Sequence, residues 1–271
     1  MIDPQRLYIL KDGKLILMGK LIKLPKNGKA LIITDIHGNL NDFNKYMHIW
    51  DKFKNSDNHL ILTGDFIHAM GRENDGSIQI MESVQNQCET SENFHVLLGN
   101  HEWSTISKRS VYKAGINQTL DFDELLRENF GQSYNKELEE YVEFLKKLPI
   151  AVRTANKVFI SHAGPPRNIK SLDEINHITD KGYNDNPPLF QILWNRFEDY
   201  TEHDLKTFLK AVNCKMMIVG HTPVDGIKLI YKNQLIVSSS YSEGKKAYVE
   251  LNLKEEIKNS KDIINMVKYM N

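Results

Sequence analysis

The sequence is poor in cysteine and has no long apolar run. Only Cys88 and Cys214 occur in 271 residues, and they form no CxxC pair, so no disulfide framework can be read from them. We expect both to be buried apolar thiols. Residues 1–10 lack the charged-then-apolar pattern of a signal peptide. No apolar run approaches the ~20 residues that a membrane-spanning helix needs. These absences predict a soluble protein in a reducing, cytoplasmic setting, with no membrane partner.

The chain also lacks an excess of either charge. Lys and Arg together number 35, and Asp and Glu together also number 35, so the formal net charge is zero. Such a surface has no overall field to attract polyanions, and general nucleic-acid binding is not expected. Hydrophobic residues make up 41% of the chain, which is enough for a substantial core. The length fits one large α/β domain, so we predict a single domain over residues 1–271.

Short apolar runs recur along the chain, and each is followed by a polar cluster rich in Gly, Asp and His. The runs are residues 30–34, 60–63, 95–98, 158–161 and 216–219. Continuous apolar runs of this length, bounded by Gly, are typical of strands buried on both faces. Helical patterns lie between them, at residues 40–53, 76–88, 121–130, 136–147 and 199–212. Strands that alternate with helices predict an α/β fold.

The two ends of the sequence follow a different pattern. Residues 7–24 predict a β-hairpin, because apolar runs flank Asp12-Gly13, a pair that suits a tight turn with positive φ. After His221, strands are predicted at residues 229–231, 235–239 and 246–253 with no helix between them. This tail predicts a second, partly antiparallel sheet, closed by a terminal helix at about residues 261–270.

Polar side chains of the kinds that bind metals or transfer protons follow the predicted strands. They are Asp35, His37, Asp65, Asn100, His101, His162 and His221. The loops at the carboxyl ends of strands converge in α/β sheets, so these side chains are expected to meet. Carboxylates with imidazoles suit Mn, Fe, Zn or Co. Asp65 follows Gly64, which allows a close backbone approach and a carboxylate that bridges two ions. Two ions ~3.5–4 Å apart can hold both oxygens of a phosphoryl displacement and convert a bridging water to hydroxide.

The motifs together carry a family resemblance. Asp35-Ile-His-Gly, Gly64-Asp65, Gly99-Asn-His-Glu102, Ser161-His-Ala-Gly164 and Gly220-His-Thr-Pro223 resemble the ordered signature of the calcineurin-like metallophosphoesterases, over about residues 30–240. The Gly-Asn-His-Glu form is most similar to the PPP branch, which includes Ser/Thr protein phosphatases and symmetrical diadenosine-tetraphosphate hydrolases. The resemblance implies a central two-sheet β-sandwich flanked by helices.

The same resemblance implies two divalent ions and assigns their ligands. Of the metals that suit these donors, manganese is the preferred candidate. One ion would be held by Asp35, His37 and Asp65, and the second by Asp65, Asn100, His162 and His221.

Three further residues gain roles from the resemblance. His101 would be the general acid for the leaving alkoxide, which physical chemistry favours because such help is typically worth 10²–10⁴-fold; the alternative makes it a structural neighbour of Asn100. Arg196 would bind phosphate, since the planar guanidinium suits phosphate oxygens; the alternative is a surface arginine. Tyr241 stands where PPP enzymes place a tyrosine over the metals.

The sequence departs from the PPP pattern after Gly64-Asp65. The family continues Gly-Asp-x-Val-Asp-Arg-Gly, whereas His68 and Ala69 stand at the Asp and Arg positions here, and about four extra residues follow. Two explanations are open. The loop could return Arg72 and Asp75 to those positions, with Arg72 binding substrate. Alternatively, the site could use Arg196 alone, with His68 in an altered role.

Three functions are compatible with these residues. The first is a binuclear phosphomonoesterase that acts on phosphoserine or phosphothreonine in proteins, or on a small phosphate ester, by direct attack of a metal-bridging hydroxide. The second is a nucleotide phosphohydrolase, a dinucleoside tetraphosphatase or cyclic nucleotide phosphodiesterase, for which Trp103 could stack on a base or simply pack. The third, a non-catalytic binding module, is disfavoured because all six metal ligands are present.

Overall fold

Two β-sheets form the centre of the protein. The computed structural model describes residues 8–11, 14–17, 19–69, 71, 74–113 and 115–270. The strands within these residues are β1 (Tyr8–Lys11), β2 (Lys14–Leu17), β3 (Leu21–Leu24), β4 (Lys29–Ile33), β5 (His59–Leu62), β6 (Phe94–Val96), β7 (Tyr112–Lys113), β8 (Ile116–Asn117), β9 (Ala151–Thr154), β10 (Val158–Ser161), β11 (Met216–Val219), β12 (Ile227–Ile230), β13 (Gln234–Val237), β14 (Ala247–Asn252) and β15 (Val267–Tyr269).

Helices pack around the sheets and connect the strands. They are α1 (Leu40–Phe53), α2 (Ser77–Thr90), α3 (Asn100–Ser107), α4 (Gln118–Phe130), α5 (Tyr134–Lys147), α6 (Leu172–Asn176), α7 (Pro187–Trp194), α8 (Glu202–Ala211) and α9 (Ser260–Ile264). A single 3₁₀ turn, Gly131–Ser133, joins α4 to α5. No helix in the described part of the chain has the length and apolar character required to cross a membrane.

Each main sheet has a parallel centre. One has the strand order β15-β14-β4-β5-β6, and β4, β5 and β6 are parallel to one another. The other has the order β12-β13-β11-β10-β9-β3, and β10, β11 and β13 are parallel. Parallel strands present their carboxyl ends at one edge, so each sheet brings several loops together at the same end.

Both faces of the central strands are buried, which explains the continuous apolar runs in the sequence. Ile32 of β4 belongs to a core cluster that also contains Ile160 and Ile218 of the six-stranded sheet, so this cluster lies between the two sheets. Its neighbour Leu31 belongs to a second cluster that includes Tyr46 of α1. Because successive side chains point to opposite faces of a strand, one set fills the sandwich and the other packs on helices. This arrangement confirms the predicted α/β fold, a two-sheet β-sandwich flanked by helices.

The predicted N-terminal hairpin is too long. Strands β1 and β2 pair antiparallel and Lys11 lies opposite Lys14, which leaves a two-residue connection. The turn residues Asp12 and Gly13 lie outside the described residues. Strand β3, however, pairs parallel with β9 and belongs to the six-stranded sheet. The hairpin therefore covers β1 and β2 only, because β3 satisfies its backbone groups at the edge of the main sheet.

The predicted C-terminal helix over residues 261–270 is wrong beyond its first turn. Helix α9 ends at Ile264, and β15 then pairs antiparallel with β14, where Val267 lies opposite Val249. The edge of the five-stranded sheet offers hydrogen bonds that a helix would leave unused. The tail strands also do not form a sheet of their own. Strands β12 and β13 extend one sheet, and β14 and β15 extend the other.

Candidate metal centre

The metal-ligand residues meet where the two sheets present the carboxyl ends of their strands. Loops after β4, β5 and β6 come from one sheet, and loops after β10 and β11 come from the other. Two groups of ligand atoms result, each with all its atoms within 4.8 Å of one another: His37, Asp65 and His101, and Asp65, His162 and His221. Asp65 belongs to both groups. Every strand end identified in the sequence therefore contributes to one centre.

The loops that carry these residues have unusual backbone conformations. Positive φ angles occur at Asp35 (39°), His37 (48°), Asp65 (53°) and His221 (63°). Residues other than Gly rarely adopt this region, and each such residue costs of order 1–3 kcal/mol. Several strained residues in one place indicate that the surrounding packing fixes the backbone to direct side chains inward.

Two glycines permit the close approach of these loops. A Cβ at Gly64, where φ is 101°, would lie 2.4 Å from the backbone nitrogen of Gly99. A Cβ at Gly220 would lie 2.0 Å from Oδ2 of Asp35. Neither backbone atoms nor a fixed carboxylate can move away cheaply. The glycines beside the ligands are therefore steric requirements of the site.

The side-chain oxygen of Asn100 lies among the ligand atoms of the second group, Asp65, His162 and His221. With its amide oxygen turned toward the cluster, Asn100 Oδ1 lies 2.8 Å from His162 Nε2, 3.0 Å from His221 Nδ1 and 3.0 Å from Asp65 Oδ2. This oxygen faces acceptors only, and hydrogen bonds would form only if the amide turned over. A divalent cation satisfies all four atoms as they stand, and amide, carboxylate and imidazole donors suit a first-row divalent metal. The residues fit a metal ion.

Hydrogen bonding sets the orientation of His162. Its Nδ1 lies 3.1 Å from the carbonyl oxygen of Thr63, and donation to that oxygen leaves the Nε2 lone pair facing the cluster. A backbone carbonyl that holds the outer nitrogen is the usual way to orient a metal-binding histidine. Burial lowers the pKa of His162. The pKa of His221 is lowered well below its ordinary value, mainly by burial and next by the neighbouring His162. Both rings are thereby kept neutral, as metal ligands must be.

The first group differs from the ligand set implied by the family resemblance. His37 Nε2 lies 3.8 Å from Asp65 Oδ2, and His101 Nε2 lies 3.7 Å from the same oxygen. Asp35 is not in this group. Its carboxylate accepts hydrogen bonds from the backbone N–H of His221, at 2.9 Å for Oδ1 and 3.0 Å for Oδ2. The structure thus places Asp35 beside the centre, between the two sheets, and places His101 close to the Asp65 carboxylate.

Glu102 holds the Asp65 loop, a function that the sequence reading did not assign. Its buried carboxylate accepts hydrogen bonds from the backbone N–H groups of Asp65 (2.8 Å), Phe66 (2.9 Å), Ile67 (3.3 Å) and Gly99 (3.0 Å). Burial, together with the charge of Asp65, raises the pKa of Glu102 to about 8, and the backbone donors oppose that rise. The available sequence signal was a glutamate in the first turn of a helix that begins at Asn100.

The departure from the PPP motif has a definite geometry. His68 Nδ1 lies 3.0 Å from His101 Nδ1. Asp75 instead accepts a hydrogen bond from the backbone N–H of Ser77 at 2.8 Å, at the start of α2, and burial raises its pKa. His68 is therefore the residue beside His101, and Arg72 lies outside the described residues.

Arg196 and Tyr241 lie at the rim of the centre. Arg196 follows α7 and is exposed. Its charge helps to lower the pKa of His221, after the larger effects of burial and of His162. The Tyr241 hydroxyl donates to Glu243 Oε2 at 3.1 Å. Tyr241 also borders a cavity of about 590 Å³ that reaches the centre. Residues that line this cavity include His37, Asn39, Asn74, His221, Ser240 and Tyr241.

Trp103 has a structural environment. It is buried, and its Nε1–H donates to the carbonyl oxygen of Tyr183 at 2.8 Å. Its ring makes edge contacts with Phe190 and Trp194, at centroid distances of 6.0 and 6.1 Å. Of the two roles considered for Trp103, the structure shows packing, and its ring faces are not offered to a nucleotide base.

Comparison with known proteins identifies the family. The model of the calcineurin-like phosphoesterases matches residues 28–225, most of the chain. This chain belongs to that family. It is 26% identical over 177 residues to a protein of Encephalitozoon cuniculi named "Probable serine/threonine-protein phosphatase", covering 64% of this chain and 35% of that protein. It is 22% identical over 229 residues to a serine/threonine-protein phosphatase of Caenorhabditis elegans, covering 78% of this chain and 46% of that protein. The chain therefore spans less than half the length of these relatives.

Solved structures share the fold. A protein serine/threonine phosphatase of Saccharomyces cerevisiae is similar with a TM-score of 0.64 and 16% identity, over 85% of this chain and 76% of that chain. A cold-active protein-tyrosine phosphatase of a psychrophilic Shewanella is similar with a TM-score of 0.60 and 20% identity, over 86% of this chain and 79% of that chain. At these identities the likeness supports the fold alone.

Proposed function

We propose that the chain is a binuclear metal-dependent phosphomonoesterase that acts on phosphoserine or phosphothreonine in proteins. The observation that carries the proposal is the cluster of ligand atoms on Asp65, His162 and His221, all within 4.8 Å of one another, with Asn100 Oδ1 2.8 Å from His162 Nε2. The names of the curated relatives support the substrate class. A phosphorylated protein is therefore the expected partner, and the low cysteine content supports a cytoplasmic setting.

Two divalent ions would be held around Asp65. One would take His37 and Asp65 with Asp35 beside them, and the other would take Asp65, Asn100, His162 and His221. Manganese is the preferred candidate, and the same donors accept Fe, Zn or Co. When bound, such a pair supplies charge neutralisation for the phosphate and an activated water as the nucleophile.

The remaining chemistry belongs to the side chains around the ions. His101 Nε2, which lies 3.7 Å from Oδ2 of Asp65, would donate its hydrogen to the leaving oxygen. The guanidinium of Arg196 makes no ion pair with a carboxylate in the described part of the chain, so it is available to bind phosphate oxygens. Tyr241 and the cavity beside it would receive the residue that carries the phosphate.

The nucleotide phosphohydrolase function has less support. The aromatic residue next to the Gly-Asn-His-Glu motif that could have held a base is Trp103, and it is buried. No other observation on the described residues favours a nucleotide over a phosphorylated side chain.

A substrate panel with added manganese tests the proposal. Phosphoserine, phosphothreonine and phosphotyrosine peptides would be compared with diadenosine tetraphosphate and cyclic nucleotides, using wild type and Asp65→Asn. We expect the phosphoserine and phosphothreonine peptides to give the highest kcat/KM and Asp65→Asn to be inactive. Hydrolysis confined to nucleotides would refute the substrate class, and full turnover by Asp65→Asn would refute the metal mechanism.

A further inference from the structure

His68 and His101 form a buried pair of imidazoles next to the metal centre. Their Nδ1 atoms lie 3.0 Å apart, and their rings meet edge to face at a centroid distance of 5.1 Å. His68 is 1% exposed and has a φ of 63°, in the left-handed region. Its ring also packs on Phe122 of α4, at a centroid distance of 5.1 Å. Packing thus fixes His68 at the inner nitrogen of His101.

One hydrogen must lie between the two Nδ1 atoms, because two lone pairs at this distance repel and two hydrogens clash. Burial lowers the pKa of His68 to about 3, so its ring is neutral and carries a single hydrogen. Two arrangements follow. Either His68 donates from Nδ1 to the lone pair of His101, or His101 donates from Nδ1 to the lone pair of His68.

The surroundings distinguish the two arrangements. His68 Nε2 is buried and has no hydrogen-bond partner within the described residues. If His101 were the donor, His68 would carry its hydrogen on this nitrogen, as an unpaired buried N–H. Buried donors without a partner are rarer and more costly than buried acceptors without one. The arrangement in which His68 donates avoids that cost.

The surroundings of the outer nitrogen of His101, Nε2, favour the same arrangement. His101 Nε2 lies 3.7 Å from Oδ2 of Asp65. A hydrogen on Nε2 faces this carboxylate favourably, whereas a lone pair there would oppose it. We propose that His68 is a positioning residue that holds the His101 hydrogen on Nε2, so that His101 acts as a hydrogen donor in the site and not as a metal ligand.

The proposed hydrogen position distinguishes His101 from the other two residues of the first group, His37 and Asp65. His37 and Asp65 keep their lone pairs for an ion, whereas His101, although equally close to Asp65, offers none. His101 would then direct its hydrogen at a bound phosphate ester. That catalytic consequence rests on the phosphatase function proposed above, whereas the position of the hydrogen does not.

Nitrogen-15 NMR of the histidine rings tests the assignment directly. The spectrum would be recorded on the full chain with metals removed by chelator, and His101→Gln would identify the His101 signals by their loss. Two variants change what position 68 can do: His68→Asp can only accept a hydrogen bond at neutral pH, and His68→Leu can neither donate nor accept one. The His59 and His95 pair, whose Nδ1 and Nε2 lie 3.1 Å apart, is the control within the same spectrum.

In wild type we expect the hydrogen of His101 on Nε2. In His68→Asp we expect it to move to Nδ1, with the His59 and His95 signals unchanged. A hydrogen on Nδ1 in wild type would overturn the proposal, as would retention on Nε2 in both His68→Asp and His68→Leu. The wild-type result depends on one variant only, His101→Gln, which must fold so that the His101 signals can be assigned. Because no substrate is present, the result is independent of whether the phosphatase function is correct.

Discussion

The carboxylate of Glu102 accepts the backbone N–H of Asp65 at 2.8 Å, and through its other oxygen it also accepts the N–H of Phe66 at 2.9 Å. Asp65 has a φ of 53°, in the left-handed region that residues other than glycine rarely adopt. The first turn of α3 therefore holds the loop after β5 in place. The position of the Asp65 carboxylate therefore depends on Glu102, which belongs to neither group of ligand atoms.

Glu102→Gln should destabilise the protein. The amide group of Gln would place hydrogens against backbone N–H groups that now donate to Glu102. A buried donor left without its acceptor costs ~1–3 kcal/mol, so we expect the free energy of unfolding to fall by about 3 kcal/mol. Urea denaturation measures this. Glu92→Gln, on an exposed turn, is the control and should change it by less than about 0.5 kcal/mol. Equal effects of the two substitutions would mean that Glu102 does not hold the loop.

Manganese should stabilise wild type but not Asp65→Asn. A ligand that binds only the folded state at 100 times its Kd adds ~2.7 kcal/mol to the free energy of unfolding. Asp65 belongs to both ligand groups, so its loss should remove most of that gain. Thermal unfolding with and without manganese measures the difference. Asp57→Asn, at an exposed position, should keep the full stabilisation. A manganese shift in Asp65→Asn as large as in wild type would show that the ion binds elsewhere.

His101→Ala should reduce kcat more for alkyl than for aryl phosphates. An alkoxide needs a proton when it leaves, and general acid help is typically worth 10²–10⁴-fold, whereas an aryl oxide leaves more readily without it. We expect a loss in that range for an alkyl ester and a clearly smaller loss for an aryl ester. His48→Ala, on the exposed surface of α1, is the matched control. Equal losses for both esters would remove the acid role of His101.

Arg196→Met should weaken substrate binding. The guanidinium stands at the rim of the centre, close enough to His221 to affect its pKa. Loss of a charge-assisted hydrogen bond worth ~1.5–3 kcal/mol corresponds to roughly 10–100-fold in kcat/KM. Steady-state kinetics and inhibition by inorganic phosphate measure the effect. Arg127→Met, on α4, removes the same charge from an exposed helix and should have little effect. If the two variants behave alike, Arg196 does not bind phosphate.

The sequence predicted which residues reach the centre because the signal is local. An apolar run followed by Gly and a ligand-type residue identifies the end of a buried strand, as at Asp65, and parallel strands bring such ends together. The relations between loops were not predictable. Asp35 contacts the backbone of His221, 186 residues away, and adopts a positive φ that only the surrounding packing enforces.

Two further features that the sequence did not predict have similar causes. The motif around Gly64 showed that His68 departs from the family pattern, but its place beside His101 depends on packing against Phe122 from a distant helix. The C-terminal segment has a helical pattern up to Ile264, and the next residues form β15 because the edge of β14 needs a partner. In both cases the long-range contact, and not the local sequence, decides the outcome.

A crystal soaked in manganese, with anomalous diffraction measured near the metal edge, tests the central claim most directly. The account predicts two peaks ~3.5–4 Å apart, one on each side of the Asp65 carboxylate, with His162 and His221 beside one of them. A single peak, or none within bonding distance of Asp65, would contradict it.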